Sequence, residues 1–328
     1  LIGVSAAHHQ LLEQLARVAV TDAEVLLCGP SGVGKELFAR YVHEHSRRSD
    51  TAFVTINCGA LPGELLENEM FGHVAGAFTG AQPRTQGLVA EAEGGTLFFD
   101  EVDALTPSNQ VKLLRLVQEK EYRRLGEPRV RRADVRFIAA TNADLVEAVR
   151  KGQFRADLFF RLRVVPITIP PLRDRTEDIE PLLAWHGQQY ACAYQTPPLR
   201  FTDQALRRLQ TYAWPGNVRE LENCVRYLAC LQLTRPVEVD DLPLLEVMTA
   251  PDAGLSRGPD GKFQEAKREL VNRFEREYVE QALRAAEGNI ARAAQASGKA
   301  RRAFFELMRK HGVDAAGFRT KDGAVSAR

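Results

Sequence analysis

The chain has 328 residues, 45% of them hydrophobic and 27% charged, with a formal net charge of +1. This is the balance of an ordinary soluble protein, long enough for two or three domains with sizeable cores. No apolar run approaches the ~20 residues that cross a bilayer, and there is no signal-peptide pattern, so no membrane partner is expected.

The charge is unevenly placed. Residues 263–328 carry 14 Lys and Arg against 9 Asp and Glu, a local +5 that marks the last segment as the place for an anionic partner. Cys28, Cys58, Cys192, Cys224 and Cys230 show no C-x-x-C spacing and read as reduced, structural thiols of a cytoplasmic protein. His43 and His45 stand two apart on a predicted helix, face different ways and make a poor metal pair. The chain begins at Leu1, not at a methionine, and reads as a piece of a longer protein.

An opening helix leads to the apolar strand Val25–Cys28, then to Gly29-Pro30-Ser31-Gly32-Val33-Gly34-Lys35-Glu36 and a helical pattern from Leu37. A strand feeding a glycine-rich turn that opens a helix aims several backbone N–H groups at one point, where the helix dipole adds positive field. A phosphate chain fits there, with Lys35 reaching the outer phosphates. This is the G-x-x-x-x-G-K phosphate-binding loop. The general pattern ends in Ser or Thr, which ligates magnesium, whereas this chain has Glu36. The bland alternative is a turn that caps a helix and binds nothing.

A second strand, Ala52–Ile56, ends at Asn57-Cys58. An amide at the carboxyl end of a sheet strand lies where open α/β sheets bind ligands, so Asn57 is either part of a catalytic centre or a turn former. Residues 76–81, Gly-Ala-Phe-Thr-Gly-Ala, have neither helical nor strand period. From chemistry alone Phe78 packs inward or meets a partner, and the inward loop is the favoured reading. Residues 94–103 form a buried-type strand ending in carboxylates. Asp100 is placed to hold magnesium, directly or through water, and Glu101 to polarise an attacking water.

Helix Pro107–Glu119 follows, with Val111, Leu113, Leu114, Leu116 and Val117 on its apolar side. The basic stretch Arg123–Arg132 reads as a solvated loop or as a surface facing a polymer or ring pore. Strand Val135–Ala140 ends at Thr141-Asn142, an amide able to orient water near the outermost phosphate. Arg155 and Arg161 then either pair with Asp157 and other surface acids or enter a neighbouring subunit's nucleotide site. Pro170-Pro171 closes this α/β part, and helices are predicted at Glu177–Tyr194, Asp203–Tyr212 and Val218–Leu231. Asn217 is expected to N-cap the last of them. Arg219, in its first turn, is disfavoured by the dipole and calls for a phosphate or an acid nearby.

Residues 249–262 have the composition of a linker. Phe263–Ala286 reads as an amphipathic helix with a dimer or core face. A helix starting at Gly288-Asn289, a turn at Ser297-Gly298 and a helix Arg301–Lys310 with Phe304, Leu307 and Met308 inward make a helix-turn-helix candidate. Between Gly288 and Gly312 there are six basic residues and one acid. Lys299, Arg301, Arg302 and Ala303 stand at the end of the second helix expected to enter the major groove; a plain helical hairpin is the alternative.

Taken together, Ala75–Gln82 after a loop ending in Lys35-Glu36, and Gly94–Glu101 after that, resemble one family. It is that of the AAA+ activators of sigma-54 RNA polymerase, the NtrC-type bacterial enhancer-binding proteins. The resemblance implies an α/β AAA+ P-loop NTPase, a parallel sheet sandwiched by helices, over residues 1–170, with a helical lid over 171–247. It further implies a linker at 248–262, an all-α Fis-type helix-turn-helix domain at 263–312 and a tail at 313–328.

Carried onto this chain, the resemblance makes Gly29–Glu36 Walker A, with an acid at Glu36 as in the family, and Asp100-Glu101 Walker B. Glu36 and Asp100 stand on the Mg2+ side. Asn57 matches the switch residue that links Glu101 to the Gly76–Ala81 loop, Thr141-Asn142 sensor one, Arg155 and Arg161 the trans-acting fingers, and Arg219 sensor two. Ile2-Gly3 fit the adenine-side entry. It also reverses the reading of the loop: Gly76, Ala77, Phe78, Thr79, Gly80 and Ala81 become an exposed tip, with Phe78 and Thr79 touching sigma-54.

The implied activity is ATP hydrolysis by a homo-oligomer, dimer to hexameric ring, that binds double-stranded enhancer DNA and remodels the sigma-54 RNA polymerase holoenzyme. The alternative is a nucleotide-dependent regulator that assembles on DNA without remodelling. There are two departures. Asp103 stands where glycine is more usual, and Ala300 replaces the hydroxyl cap of the recognition helix, at about 1 kcal/mol of local stability.

Overall fold

The computed structural model describes residues 1–77, 85–244, 279, 282–283, 286, 288–297 and 301–314. The chain divides into two compact units, Leu1–Thr249 and Ala250–Arg328.

The strands of the first unit are β1 Val25–Cys28, β2 Phe53–Asn57, β3 Gly72–His73, β4 Thr85–Gln86, β5 Thr96–Asp100, β6 Glu121–Tyr122, β7 Arg131–Arg132, β8 Arg136–Thr141 and β9 Val165–Thr168. Its first helices are α1 Ala6–Ala19, α2 Lys35–Glu44, α3 Gly63–Phe71, α4 Leu88–Glu91, α5 Pro107–Glu119, α6 Leu145–Arg150 and α7 Ala156–Leu162. Five strands form one sheet in the order β2-β5-β8-β1-β9, with every neighbouring pair parallel.

Helices cover both faces of this sheet, so its strands read as continuous apolar runs. Alternation still sorts their side chains. Phe98, Ile138, Leu27 and Ile167 pack with Leu11 and Leu15 of α1 and with Phe38 and Val42 of α2. Leu97, Phe99, Phe137 and Leu26 pack on the other face with Leu66 of α3, Leu113 and Leu116 of α5 and Leu158 of α7. Val111, expected on the inner side of α5, is exposed.

The lid is built from α8 Ile179–Tyr194, α9 Asp203–Thr211 and α10 Asn217–Cys230 around buried Tyr212, Trp214, Leu221 and Leu228. All five cysteines are free thiols.

Two small antiparallel ribbons, β3–β4 and β6–β7, meet at their bases. Val74 donates to the Leu125 carbonyl (3.1 Å), and Leu125 donates back to Gly72 (2.9 Å). The basic stretch is therefore not simply a solvated loop. Arg131 pairs with Glu127 (2.9 Å), and Arg124 is buried where the ribbons join. Gly76 has φ +80 with open space around it. Phe78, Thr79, Gly80 and Ala81 lie outside the described residues.

In the second unit α11 Ile290–Ala296 and α12 Arg301–His311 pack Ala293, Ala294, Phe304 and Met308 with Val279 and Leu283. Asn289 caps α11, its Oδ1 accepting from Ala291 and Arg292 at 3.1 and 3.2 Å. Phe263–Tyr278, Lys299 and Ala300 lie outside the described residues, as do the side chains of Arg301, Arg302 and Ala303.

The entry to α1 is fixed by one buried acid. Asp178, 0% exposed, accepts from the backbone of Val4 (2.6 Å) and Ser5 (2.8 Å) and from the Ser5 hydroxyl (3.0 Å). It also faces Arg175 at 3.6 Å. Removing one partner of a buried pair strands the other charge, so Asp178→Ala is expected to lower unfolding free energy by about 3–5 kcal/mol. Urea titration followed by tryptophan fluorescence checks this; a loss under about 1 kcal/mol would make the acid dispensable.

Candidate active site

A cavity of about 570 Å3 opens beside the glycine-rich turn. It is lined by Ser31–Phe38, by Asp100 and Glu101, by Ile2 and His8, and by Trp185, Val218 and Arg219 of the lid. Its size falls in the range of roughly 300–1,000 Å3 typical of ligand sites.

The turn holds its shape because each of its carbonyls has a partner. Lys35 Nζ donates to the carbonyls of Gly29 (2.9 Å) and Pro30 (3.1 Å). Asn217 Nδ2 donates to Ser31 (2.9 Å), the Arg219 backbone to Gly32 (3.2 Å), and Arg175 Nη2 to Val33 (3.3 Å). Gly34 receives Leu37 at the start of α2. With its carbonyls engaged, the loop keeps its N–H groups for an anion. Gly32 and Gly34 sit at φ +79 and +95, where glycine alone is unstrained. A Cβ on Gly32 would also collide with the Gly216 carbonyl.

Asn217 was expected as an N-cap. The cap position is Gly216, whose N–H donates to Glu220 at 2.7 Å. Asn217 instead begins α10 at φ +53, 2% exposed, and joins the loop to Leu172, whose N–H it accepts at 2.9 Å. Arg219 lines the cavity with Nη1 3.5 Å from Ser31 Oγ, so its place at a helix start has an anion-facing geometry.

Across from the loop, β5 ends in the acids. Glu101 stands at φ +54, a strained turn that brings its carboxylate back over Gly59, where a Cβ would collide with it. Its N–H donates to Asp100 Oδ1 at 3.0 Å. Burial pushes the Asp100 pKa up, and the Lys35 ammonium pulls against that shift. Burial likewise pushes Lys35 down, with Asp100, Asp103 and Glu101 opposing. Such half-compensated charges suit a site completed by phosphate and a divalent cation. Glu36 lines the same cavity and pairs with Arg40 at 3.0 Å.

Asp103, the residue in place of the usual glycine, accepts from Thr141 Oγ1 at 2.6 Å. The Thr141 hydroxyl also accepts from the Ala143 N–H at 3.1 Å. Asn142, next to it, is exposed and outside the cavity lining. Asn57 makes a local turn: its Oδ1 accepts from Gly59 at 2.9 Å, and no hydrogen bond joins it to Glu101 among the described residues. Gly3 lies against the His8 ring, and its neighbour Ile2 lines the cavity.

Arg155 and Arg161 are exposed and do not line this cavity. Arg155 grips Asp157 through two hydrogen bonds, 2.7 and 3.0 Å, which lower the Asp157 pKa. Sequence reasoning singled out neither Gly59, Gln110, Arg175 nor Asp178, and misread Asn217. Their one common signal is a glycine or polar residue next to a turn.

Three family models match the chain: the sigma-54 interaction domain at residues 1–168, the AAA+ ATPase lid domain at 173–253, and the Fis-family bacterial regulatory protein at 271–310. The chain is 43% identical over 311 residues to the transcriptional regulatory protein GlrR of Escherichia coli, covering 94% of this chain and 67% of that protein. It is 45% identical over 302 residues to ZraR of Klebsiella oxytoca, covering 92% and 67%. Among solved structures, NtrX of Brucella abortus in complex with ATP superposes with a TM-score of 0.73 at 35% identity, over 95% of this chain and 69% of that one. The chain thus spans about two thirds of the length of these relatives. It belongs to the family of sigma-54-dependent transcriptional regulators, with the AAA+ P-loop NTPase fold, its lid and a Fis-type helix-turn-helix segment.

Proposed function

We propose that this chain hydrolyses ATP between neighbouring subunits of a homo-oligomeric ring and uses the cycle to remodel sigma-54 RNA polymerase from an enhancer. The observation that carries this is a phosphate loop with every carbonyl engaged, facing Asp100 and Glu101 across one cavity. Phosphates would take the loop N–H groups, and Lys35 would move from its two carbonyls to the outer phosphates. Asp100, with Glu36 as the second acid, would hold Mg2+, which supplies neutralisation of phosphate charge. Glu101 would draw the proton from the attacking water, and Asn142 would orient that water.

Arg155 and Arg161, outside their own cavity, would complete the site of the next subunit. Ile2 and Gly3, with Val218 in the same cavity wall as Ile2, would meet the adenine, and Arg219 the phosphates. Gly76–Ala81 would be the part that meets sigma-54, and Lys299–Ala303 the part that meets enhancer DNA. The resemblance gives Asn57 the role of relaying nucleotide state to that loop; its turn with Gly59, the residue against which the Glu101 carboxylate lies, supports that reading. The family matches over 1–168 and 271–310 favour this reading over a regulator that only assembles on DNA.

Three outcomes are expected. Glu101→Ala should retain binding of a fluorescent ATP analogue and lose turnover by about 100-fold or more, the scale of a missing general base; rapid turnover would dismiss Glu101 from that role. Thr79→Ala should hydrolyse ATP normally and fail in open-complex formation; a normal yield of open complex removes the loop from the mechanism. Asp103→Ala and Thr141→Val should each lower kcat with KM unchanged. The double variant should be no worse than either single one, and Asp103→Asn, which keeps the acceptor, should be near wild type. Additive losses would mean the 2.6 Å bond does not connect them.

A further inference from the structure

We infer that Gln110 is a positioning residue that locks the arginine a subunit presents to its neighbour onto the acidic strand end of its own site. Gln110 lies in the first turns of α5 and is 1% exposed. Its Nε2 donates to the carbonyls of Leu105 and Gln153, both at 3.0 Å, and its Oε1 accepts from the backbone N–H of Arg155 at 2.9 Å. One planar amide thus joins the Leu105 turn to the segment Gln153–Arg155. Leu105 closes the short turn Val102–Ala104 that begins at Glu101, and Asp103 in that turn is tied to Thr141. Arg155 is the N-cap of α7, whose last turn carries Arg161.

Elsewhere α5 and α7 share an apolar cluster that includes Leu113 and Leu116 of α5 and Leu158 and Leu162 of α7. Such contacts resist separation but are non-directional, so they leave α7 free to shift along α5. The amide is directional. Its donor and acceptor sit on one rigid plane, so displacement of Leu105 is passed to the Arg155 N–H or breaks a buried hydrogen bond. A change at Glu101 therefore reaches the start of α7 through two bonds. Because Arg155 and Arg161 do not line their own cavity, the site that feels the change belongs to another copy of the chain. This inference rests on the trans-arginine reading proposed above, and its test separates the two.

Wild-type chains are mixed with an excess of a partner that cannot hydrolyse ATP and contributes only its arginines. Three partners are compared: Glu101→Ala alone, Glu101→Ala with Gln110→Met, and Glu101→Ala with Arg155→Ala. The Gln110→Met partner should lower the rate per wild-type subunit about tenfold relative to Glu101→Ala alone, the scale of a misplaced catalytic group. Gln110→Met by itself should bind a fluorescent ATP analogue as wild type does, because its own loop is untouched. Gln110→Glu, which keeps the acceptor for Arg155 but loses both donors, should behave like Gln110→Met, and it replaces that variant should it fail to fold. Equal rates with and without the Gln110 change, while the Arg155→Ala partner depresses the rate, overturn the role of Gln110. Equal rates with all three partners overturn the trans-arginine reading instead.

Discussion

The phosphate loop can present its N–H groups inward only if its carbonyls are satisfied from behind, and most of this structure exists to satisfy them. Two are held by Lys35, which in the proposed reading would let go when phosphate arrives. The next three are held from the lid side by Asn217, the Arg219 backbone and Arg175. The loop is therefore a joint between the sheet and the lid. Anything that moves α10 relative to β1 strains two hydrogen bonds at once, those of Asn217 and the Arg219 backbone, each worth about 1 kcal/mol net and more when one partner is left buried and unpaired. Arg175 extends the joint to Asp178 and so to Val4 and Ser5, which lie in the chain between Ile2 and His8 of the cavity lining.

That dependence also explains what the sequence yields and what it withholds. The loop, the acidic strand and the sheet were legible because their signals are local: glycines where φ is positive, and apolar runs ending in polar groups. The α/β part and the helices after it follow from the same local signals; the parallel sheet and the lid were implied by the family resemblance, and the five-stranded order comes from the fold. Asn217, Gln110, Arg175 and Asp178 act through backbone groups 45 to 186 positions away, and nothing beside them in the chain names those partners. A polar side chain next to Pro-Gly reads as a cap. Only the folded chain distinguishes a cap from a bolt.

Asp103 is a different case. It was visible as a departure, but its consequence depended on β8 lying beside β5, a pairing that brings Phe99 opposite Ala139 and Asp103 within reach of Thr141. A glycine there would leave the Thr141 hydroxyl with only its bond to Ala143. The added carboxylate also contributes to the field that offsets the burial of Lys35. One substitution thus alters both the strand end that leads to Asn142 and the charge balance around Lys35.

The pair Arg155–Asp157 bears on how an arginine outside its own cavity could act elsewhere. Both partners are 46% exposed, and such solvent-screened pairs contribute little. The guanidinium is thus lightly held by Asp157, while the backbone beneath it is fixed by buried Gln110. This division suits a group whose base must be placed within a fraction of an ångström while its tip exchanges one acid for a more highly charged partner. A buried pair would resist the exchange, and an unpaired arginine would spread over many rotamers before it was needed.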